Sequence, residues 1–234
     1  MSVYTIDFMS DEWIRNTMIT GFFICFFLLM GKILSVNQNI KIAKSLSCIL
    51  LISTLFSHIG NIISDQWTIR EHLPLHLCSI NSLICISVLF LKNNQSLFEF
   101  SFFGGIIGGI VAILTPQIND YDGSFLEYLV YYFSHSLIIL IPLYLFFYLS
   151  FELKKFSWLK TILLLNILMI IIMPLNYFIK SNYMYLNYPP KVDNPLIIGE
   201  WPNYLIYFEL FILILFLSIY WIFTRIKKLY SYNK

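Results

Sequence analysis

Apolar residues in this chain gather into long runs instead of alternating or marking one helical stripe. The runs fall at roughly 13–34, 42–63, 74–91, 98–116, 126–150, 157–179 and 201–224. A bilayer core of about 30 Å takes roughly 20 apolar residues of helix. In lipid a helix satisfies every backbone amide within its own segment. The pattern predicts an all-α polytopic integral membrane protein, with about seven transmembrane helices in a single domain over 1–234. The third and fourth runs are parted only by Lys92-Asn93-Asn94-Gln95-Ser96, a short polar turn. The fourth holds Gly104-Gly105 and Gly108-Gly109, a small-residue face suited to close helix packing. The connection 180–200 is rich in Asn, Tyr and Pro, which predicts a structured lid or interfacial element.

Composition supports the membrane reading. The chain is 59% hydrophobic, 18% aromatic and 12% charged, against about a quarter charged in soluble domains. A net charge of +2, with no basic patch interleaved with aromatics, argues against a nucleic-acid partner. Cys25, Cys48, Cys78 and Cys85 lie inside apolar runs, which argues against a disulfide framework. The first run is followed by Gly31-Lys32 and no small-residue cleavage pattern, so it reads as a retained span.

Charge then sets an orientation. If the spans alternate, one side receives Lys32, Lys41, Lys44, Lys92, Lys154, Lys155, Lys160, Arg225, Lys227, Lys228 and Lys234. The other receives Arg15, Arg70, Lys180 and Lys191, and its segment with Asp120, Asp122 and Glu127 has no Lys or Arg. The positive-inside bias predicts N-out and C-in, hence an odd number of spans.

Polar groups inside a bilayer are costly and mark candidate sites. Helix rise from the run ends puts His58, Asn61, His76, Cys78, Asn81, His135 and Glu209 in the outer half of the membrane. Cys78 follows Pro74, a good first helical residue, so the helix dipole would favour its thiolate. His135 on another helix would take the proton, a pairing suited to acyl transfer. The plainer readings are a small buried cysteine and a structural histidine bonded across helices. A third is zinc held by His58, His76, His135 and Glu209, although no two of these have the i, i+4 spacing. His72 and His76 have it, but His72 falls at the interface. His76 is two residues from Cys78 and faces elsewhere on a helix. Asn61 or Asn81 would donate to an oxyanion, and Glu209 would orient a histidine or act as hydrogen-bond glue. Cys25, Cys48 and Cys85 read as packing residues without polar company.

Several stretches resemble a known family: Leu73-Pro74-Leu75-His76-Leu77-Cys78-Ser79, Gly104 to Gly109, Ser134-His135-Ser136, Asn182-Tyr183-Met184-Tyr185-Leu186 and Gly199-Glu200-Trp201-Pro202. They resemble the bacterial YwaF integral membrane proteins, which look like relatives of eukaryotic transmembrane protein 164. A more distant likeness is to the androgen-induced membrane hydrolases, which use a threonine and a histidine. The resemblance implies a membrane acyltransferase. It would move a fatty acyl chain from a phospholipid to a lysolipid through a cysteine thioester, with a histidine partner. Only Cys78 and His135 match on that basis. His58, Asn61, His76, Asn81, Asn182, Trp201 and Glu209 are the expected supporting or substrate-binding residues. The implied partners are membrane lipids in a bacterial inner membrane, with no cofactor, metal or protein partner expected. A solute transporter or ligand sensor, and a lipid hydrolase using the same pair, are the alternative readings.

Overall fold

Helix starts follow the polar punctuation between the apolar runs. In the computed structural model, which describes residues 2–232 apart from 93, 122, 193 and 196, Ser10 caps α1 (Asp11–Gly31) by accepting from Trp13 N at 3.2 Å. Ser35 caps α2 (Val36–Ile63) with a complete capping box, because Gln38 reaches back to the Ser35 amide. Ser124 caps α6 (Phe125–Tyr148) through Glu127 N. Between them lie α3 (Leu77–Ser87), α4 (Gln95–Phe100), a π turn at Ser101–Gly105 and α5 (Ile106–Leu114); α7 (Ser157–Ile179) and α8 (Asn203–Tyr232) follow. The expected Asn93, Asp122 and Lys234 features lie outside the described residues.

Six helical segments among the described residues are long and apolar enough to cross a membrane, with α4, the π turn and α5 counting as one. The third apolar run differs from expectation. Its helix has 11 residues, starts at Leu77 and leaves Pro74 in the preceding turn. At 1.5 Å per residue it rises about 16 Å, roughly half a bilayer core. The helix begins where it does because His76 is extended at φ −69 and ψ 148 and acts as the N-cap. A short antiparallel strand pair, β1 (Ser2–Thr5) with β2 (Gln117–Tyr121), also lay outside the sequence expectation.

α6 is the centre of the molecule. Leu137, Ile138, Leu140, Tyr144 and Leu145 on it are fully buried, and α1, α2, α3 and α5 pack around it. α1, α2, α7 and α8 turn large apolar side chains outward, such as Phe22, Ile52, Ile170 and Ile214. The outward apolar shell is what a helix bundle in lipid presents.

The connections segregate into two groups tied by hydrogen bonds. In one group Ile6 N donates to Pro116 O, Lys191 N to Gln117 Oε1, and Tyr183 Oη to Ile69 O. In the other, Gln95 Nε2 donates to Glu152 O, Lys154 N to Glu99 Oε1, and Lys227 Nζ to Phe151 O. The second group carries the lysine-rich segments.

Candidate active site

The site forms around the glycine pairs of the helix running from 95 to 114. A Cβ at Gly104 would stand 3.1 Å from Asn81 Nδ2, and one at Gly108 would stand 3.5 Å from Cys78 Sγ. These two glycines admit α3. A Cβ at Gly105 would meet Ile138 O at 2.8 Å, and one at Gly109 would meet Ile139 Cγ1 at 2.6 Å and His135 O at 3.0 Å. Those two admit α6. Missing side chains on two faces of one helix thus bring the Cys78 thiol and the His135 backbone against neighbouring residues, Gly108 and Gly109. The i, i+4 spacing within each pair explains the geometry, since such positions share a face.

Cys78 is the second residue of α3 and is partly buried. The N–H groups of Leu77, Cys78 and Ser79 precede the first intrahelical bond, from Ile80 N to His76 O at 2.9 Å. First-turn N–H groups of this kind are donors open to an anion. The phenols of Tyr131 and Tyr185 lie within electrostatic reach of the thiol. No hydrogen bond joins the Cys78 thiol to His135 among the described residues.

His135 is set by its own helix. Its Nδ1 lies 2.6 Å from the carbonyl oxygen of Tyr131, one turn back. A carbonyl only accepts, so Nδ1 carries the proton and the neutral ring keeps its lone pair on Nε2. The Tyr131 ring packs on the imidazole at 4.3 Å between centroids. Its hydroxyl donates to Ala112 O at 2.8 Å and accepts from Gln117 N at 3.3 Å, which fixes α6 to the end of α5.

The other three histidines have the opposite arrangement. Nδ1 of His58 accepts from Trp67 Nε1 at 3.1 Å, that of His72 from Thr68 N at 3.1 Å, and that of His76 from Met184 N at 3.3 Å. When neutral, each carries its proton on Nε2 and offers a donor there. His135 alone of the four is arranged as a base at Nε2.

A lid covers this level. The 180–200 connection forms a one-turn 3₁₀ helix at Tyr183–Tyr185. Buried Tyr183 donates to Ile69 O and accepts from Leu73 N, both at 2.8 Å, so the lid grips the segment leading into α3. His76 packs against the rings of Tyr183 and Tyr185 at 5.2 and 5.4 Å. Gln117 ties the lid to β2: its Nε2 donates to Tyr185 Oη at 3.2 Å, and its Oε1 accepts from Lys191 N and Val192 N. Gln117 and Tyr131 gave no signal in the sequence, because a lone glutamine in a short loop and a tyrosine near a span end are ordinary there, and Tyr185 stood out only as part of a stretch that carries the family resemblance.

The remaining expected residues fall in different places. Asn182 organises the lid, donating to Tyr188 O at 2.8 Å and accepting from Asn187 N at 3.0 Å. Trp201, half exposed, donates to Leu186 O at 2.9 Å. Asn81 is fully buried one turn below the thiol and donates to Leu77 O at 2.8 Å. The Asn61 carbonyl accepts from Gln66 N and Trp67 N and closes the end of α2. Glu209 sits apart, with Oε1 accepting from Asn166 Nδ2 at 2.6 Å across α7 and α8, and its partner is no histidine. Among the described residues no group of three His, Cys, Asp or Glu converges as a metal site would need. Cys25 and Cys48 face outward, whereas Cys85 is buried beside the Ser101 hydroxyl and so has polar company. A shallow cleft of about 630 Å³ opens at the lid's edge between Asn176, Lys180, Ser181 and Asn187, away from Cys78.

Fold and site together define a multi-pass membrane protein in which a helix-start cysteine and an Nδ1-protonated histidine flank one glycine-rich helix beneath a lid. Residues 8–220 match the TMEM164 family, and the chain belongs to it. No curated protein and no solved structure matches it.

Proposed function

We propose that the protein is a lipid acyltransferase of a bacterial inner membrane, with Cys78 as nucleophile and His135 as base. The observation that carries this reading is the His135 ring. Its Nδ1–H is held by Tyr131 O, so Nε2 is left as the acceptor, on the helix that meets the Cys78 level at Gly108-Gly109. Nε2 takes the thiol proton. The sulfur attacks the ester carbonyl carbon of a phospholipid, and first-turn N–H groups of α3 receive the oxyanion. Collapse breaks the ester C–O bond. The leaving lysolipid takes the proton from the imidazolium, and a thioester remains on Cys78. The acceptor lysolipid's hydroxyl then gives its proton to Nε2 and attacks the thioester, which restores the thiol. No cofactor is needed, because the donor is itself an ester.

Seven crossings with N-out and C-in fit this scheme. Support comes from the two hydrogen-bonded groups of connections: Leu73, before the 11-residue α3, donates to Tyr183 in one, and Gln95, after it, donates to Glu152 in the other. The lysine-rich group would face the cytoplasm.

The test incubates purified protein with a labelled diacyl phospholipid and a lysolipid, then follows label on protein and acceptor. Cys78→Ala and His135→Ala should each lose at least about 100-fold of the transfer, and the double variant little more, because the two act as a unit. Cys85→Ala should keep its activity. Undiminished transfer by Cys78→Ala sinks the covalent route, and label released only to water makes the enzyme a hydrolase.

A further inference from the structure

A second polar group lies toward the membrane surface from the thiol and histidine. Glu12, in the first turn of α1, is half-buried. Each of its carboxylate oxygens accepts a phenol: Tyr4 Oη on Oε2 at 2.8 Å and Tyr128 Oη on Oε1 at 2.5 Å. Among the described residues no Lys or Arg pairs with it. Arg15, one turn along and exposed, donates from Nη2 to the same Tyr128 hydroxyl at 3.2 Å and from Nε to Asn16 Oδ1 at 3.2 Å. Asn16 Nδ2 also donates to Tyr128 Oη. A negative and a positive group therefore flank one phenol without pairing with each other. Aromatic rings line the place. Tyr4 stacks on Tyr121 at 4.9 Å, and Tyr128 lies 5.3 Å from Tyr132.

We propose that Glu12, Arg15 and the surrounding tyrosines bind the ammonium–phosphate zwitterion of a phospholipid headgroup. A carboxylate with spare lone pairs, set among electron-rich ring faces, suits an ammonium. A guanidinium with unused N–H donors suits a phosphate. Residues at i and i+3 present Cβ atoms about 5–6 Å apart on one helix face, the scale of two charges joined by a two-carbon link. An anionic headgroup would offer its phosphate to Arg15 but would leave Glu12 without a cation.

Depth favours a lipid over a solute. Tyr128, Tyr132 and His135 lie at i, i+4 and i+7 on α6, one face of the helix. The rise from Tyr128 to His135 is about 10 Å. A headgroup held at Glu12 would leave its ester linkages deeper, toward the level of Cys78 and His135. The assignment deepens the acyl-transfer reading and rests on it only for the ester's role.

The experiment measures binding, not turnover. The full chain is equilibrated in mixed micelles with equal phosphatidylethanolamine, phosphatidylcholine and phosphatidylglycerol, and retained lipid is read by native mass spectrometry. The two zwitterionic lipids should be retained in about tenfold excess over phosphatidylglycerol. Glu12→Gln, nearly isosteric, should bring that ratio close to one. Arg15→Gln alters an exposed side chain and should lower retention of both zwitterionic lipids. Equal retention of all three lipids by the wild type, or an unchanged ratio in folded Glu12→Gln together with unchanged retention in Arg15→Gln, overturns the proposal. Glycerophosphoethanolamine identifies the source: its failure to displace the lipids supports a lipid headgroup, and efficient displacement shows that the site takes the same zwitterion free in solution. Cys78→Ala separates the two ideas. Loss of the ratio in Glu12→Gln with full transfer by Cys78→Ala would leave the headgroup site standing and remove the thioester mechanism.

Discussion

A histidine's role is set by which nitrogen carries the proton, and that is decided by one neighbouring atom. At His135 the neighbour is the Tyr131 carbonyl; at His58, His72 and His76 it is an N–H donor. Nitrogen-15 NMR of the labelled protein, with each histidine assigned by substitution, should show Nδ1–H at His135 and Nε2–H at the other three in their neutral forms. An Nε2–H signal at His135 would remove its assignment as the base. Tyr4 gives a prediction of a different kind, outside the spans. Its hydrogen bond to Glu12, helped by burial, holds the phenol up to about 12, from 10.0. The folded state keeps a proton that the unfolded chain releases earlier. The resulting stabilisation is whole below pH 10 and is lost as pH rises toward 12. Thermal unfolding in detergent across that window should show a shallower decline for Tyr4→Phe than for the wild type. Parallel curves would contradict the assignment.

At the level of elements, the helix 95–114 works because two of its faces lack side chains. Gly109→Ala places a methyl 2.6 Å from Ile139 Cγ1 and 3.0 Å from the His135 carbonyl. The backbone cannot yield locally, so α6 must move away. Overpacking of this sort costs about 1–3 kcal/mol, and here it also shifts the histidine. Gly108→Ala meets Cys78 Sγ at an ordinary 3.5 Å, so it should cost less than about 1 kcal/mol. Its methyl would touch the thiol without displacing it. Thermal melts of the two variants should separate by several degrees, and equal melts would mean that α5 and α6 are not held by this contact. α3 is a second case of one element set by its neighbours. Its extended N-cap at His76 is locked from above, by Met184 N on the ring and by Tyr183 on Leu73.

For the whole molecule, the decisive quantity is which end faces the cytoplasm. Single cysteines at 155 and 191, in a protein with its own cysteines replaced except Cys78, can be probed in intact cells with an impermeant maleimide. The proposed orientation expects labelling at 191 and none at 155 until the cells are opened. The reverse result would move the thiol–histidine level and the Glu12 group to the inner leaflet. The two groups of connections would stay as they are, because their hydrogen bonds are independent of the membrane's polarity.

Hydrophobic run length was enough to read the class of fold, since a segment of about 20 apolar residues has few stable options but a helix in lipid. The glycine pairs and the polar residues of the spans were equally visible, because each is an exception to that background. The short α3 could not be read from its run, as its start is fixed by lid residues more than a hundred positions away at Tyr183 and Met184. Nor could Glu209 be separated from the other polar residues, since depth along a helix says nothing of its facing partner, Asn166. The Glu12 group was invisible for the same reason. Tyr4, Glu12 and Tyr128 are unremarkable along the chain and meet only because β1 pairs with β2 and α1 lies against α6. Sequence determined the solvent each segment lives in, through transfer free energy summed over neighbours. Tertiary structure decided which polar atoms share a hydrogen bond, because that depends on contacts between residues far apart in the chain.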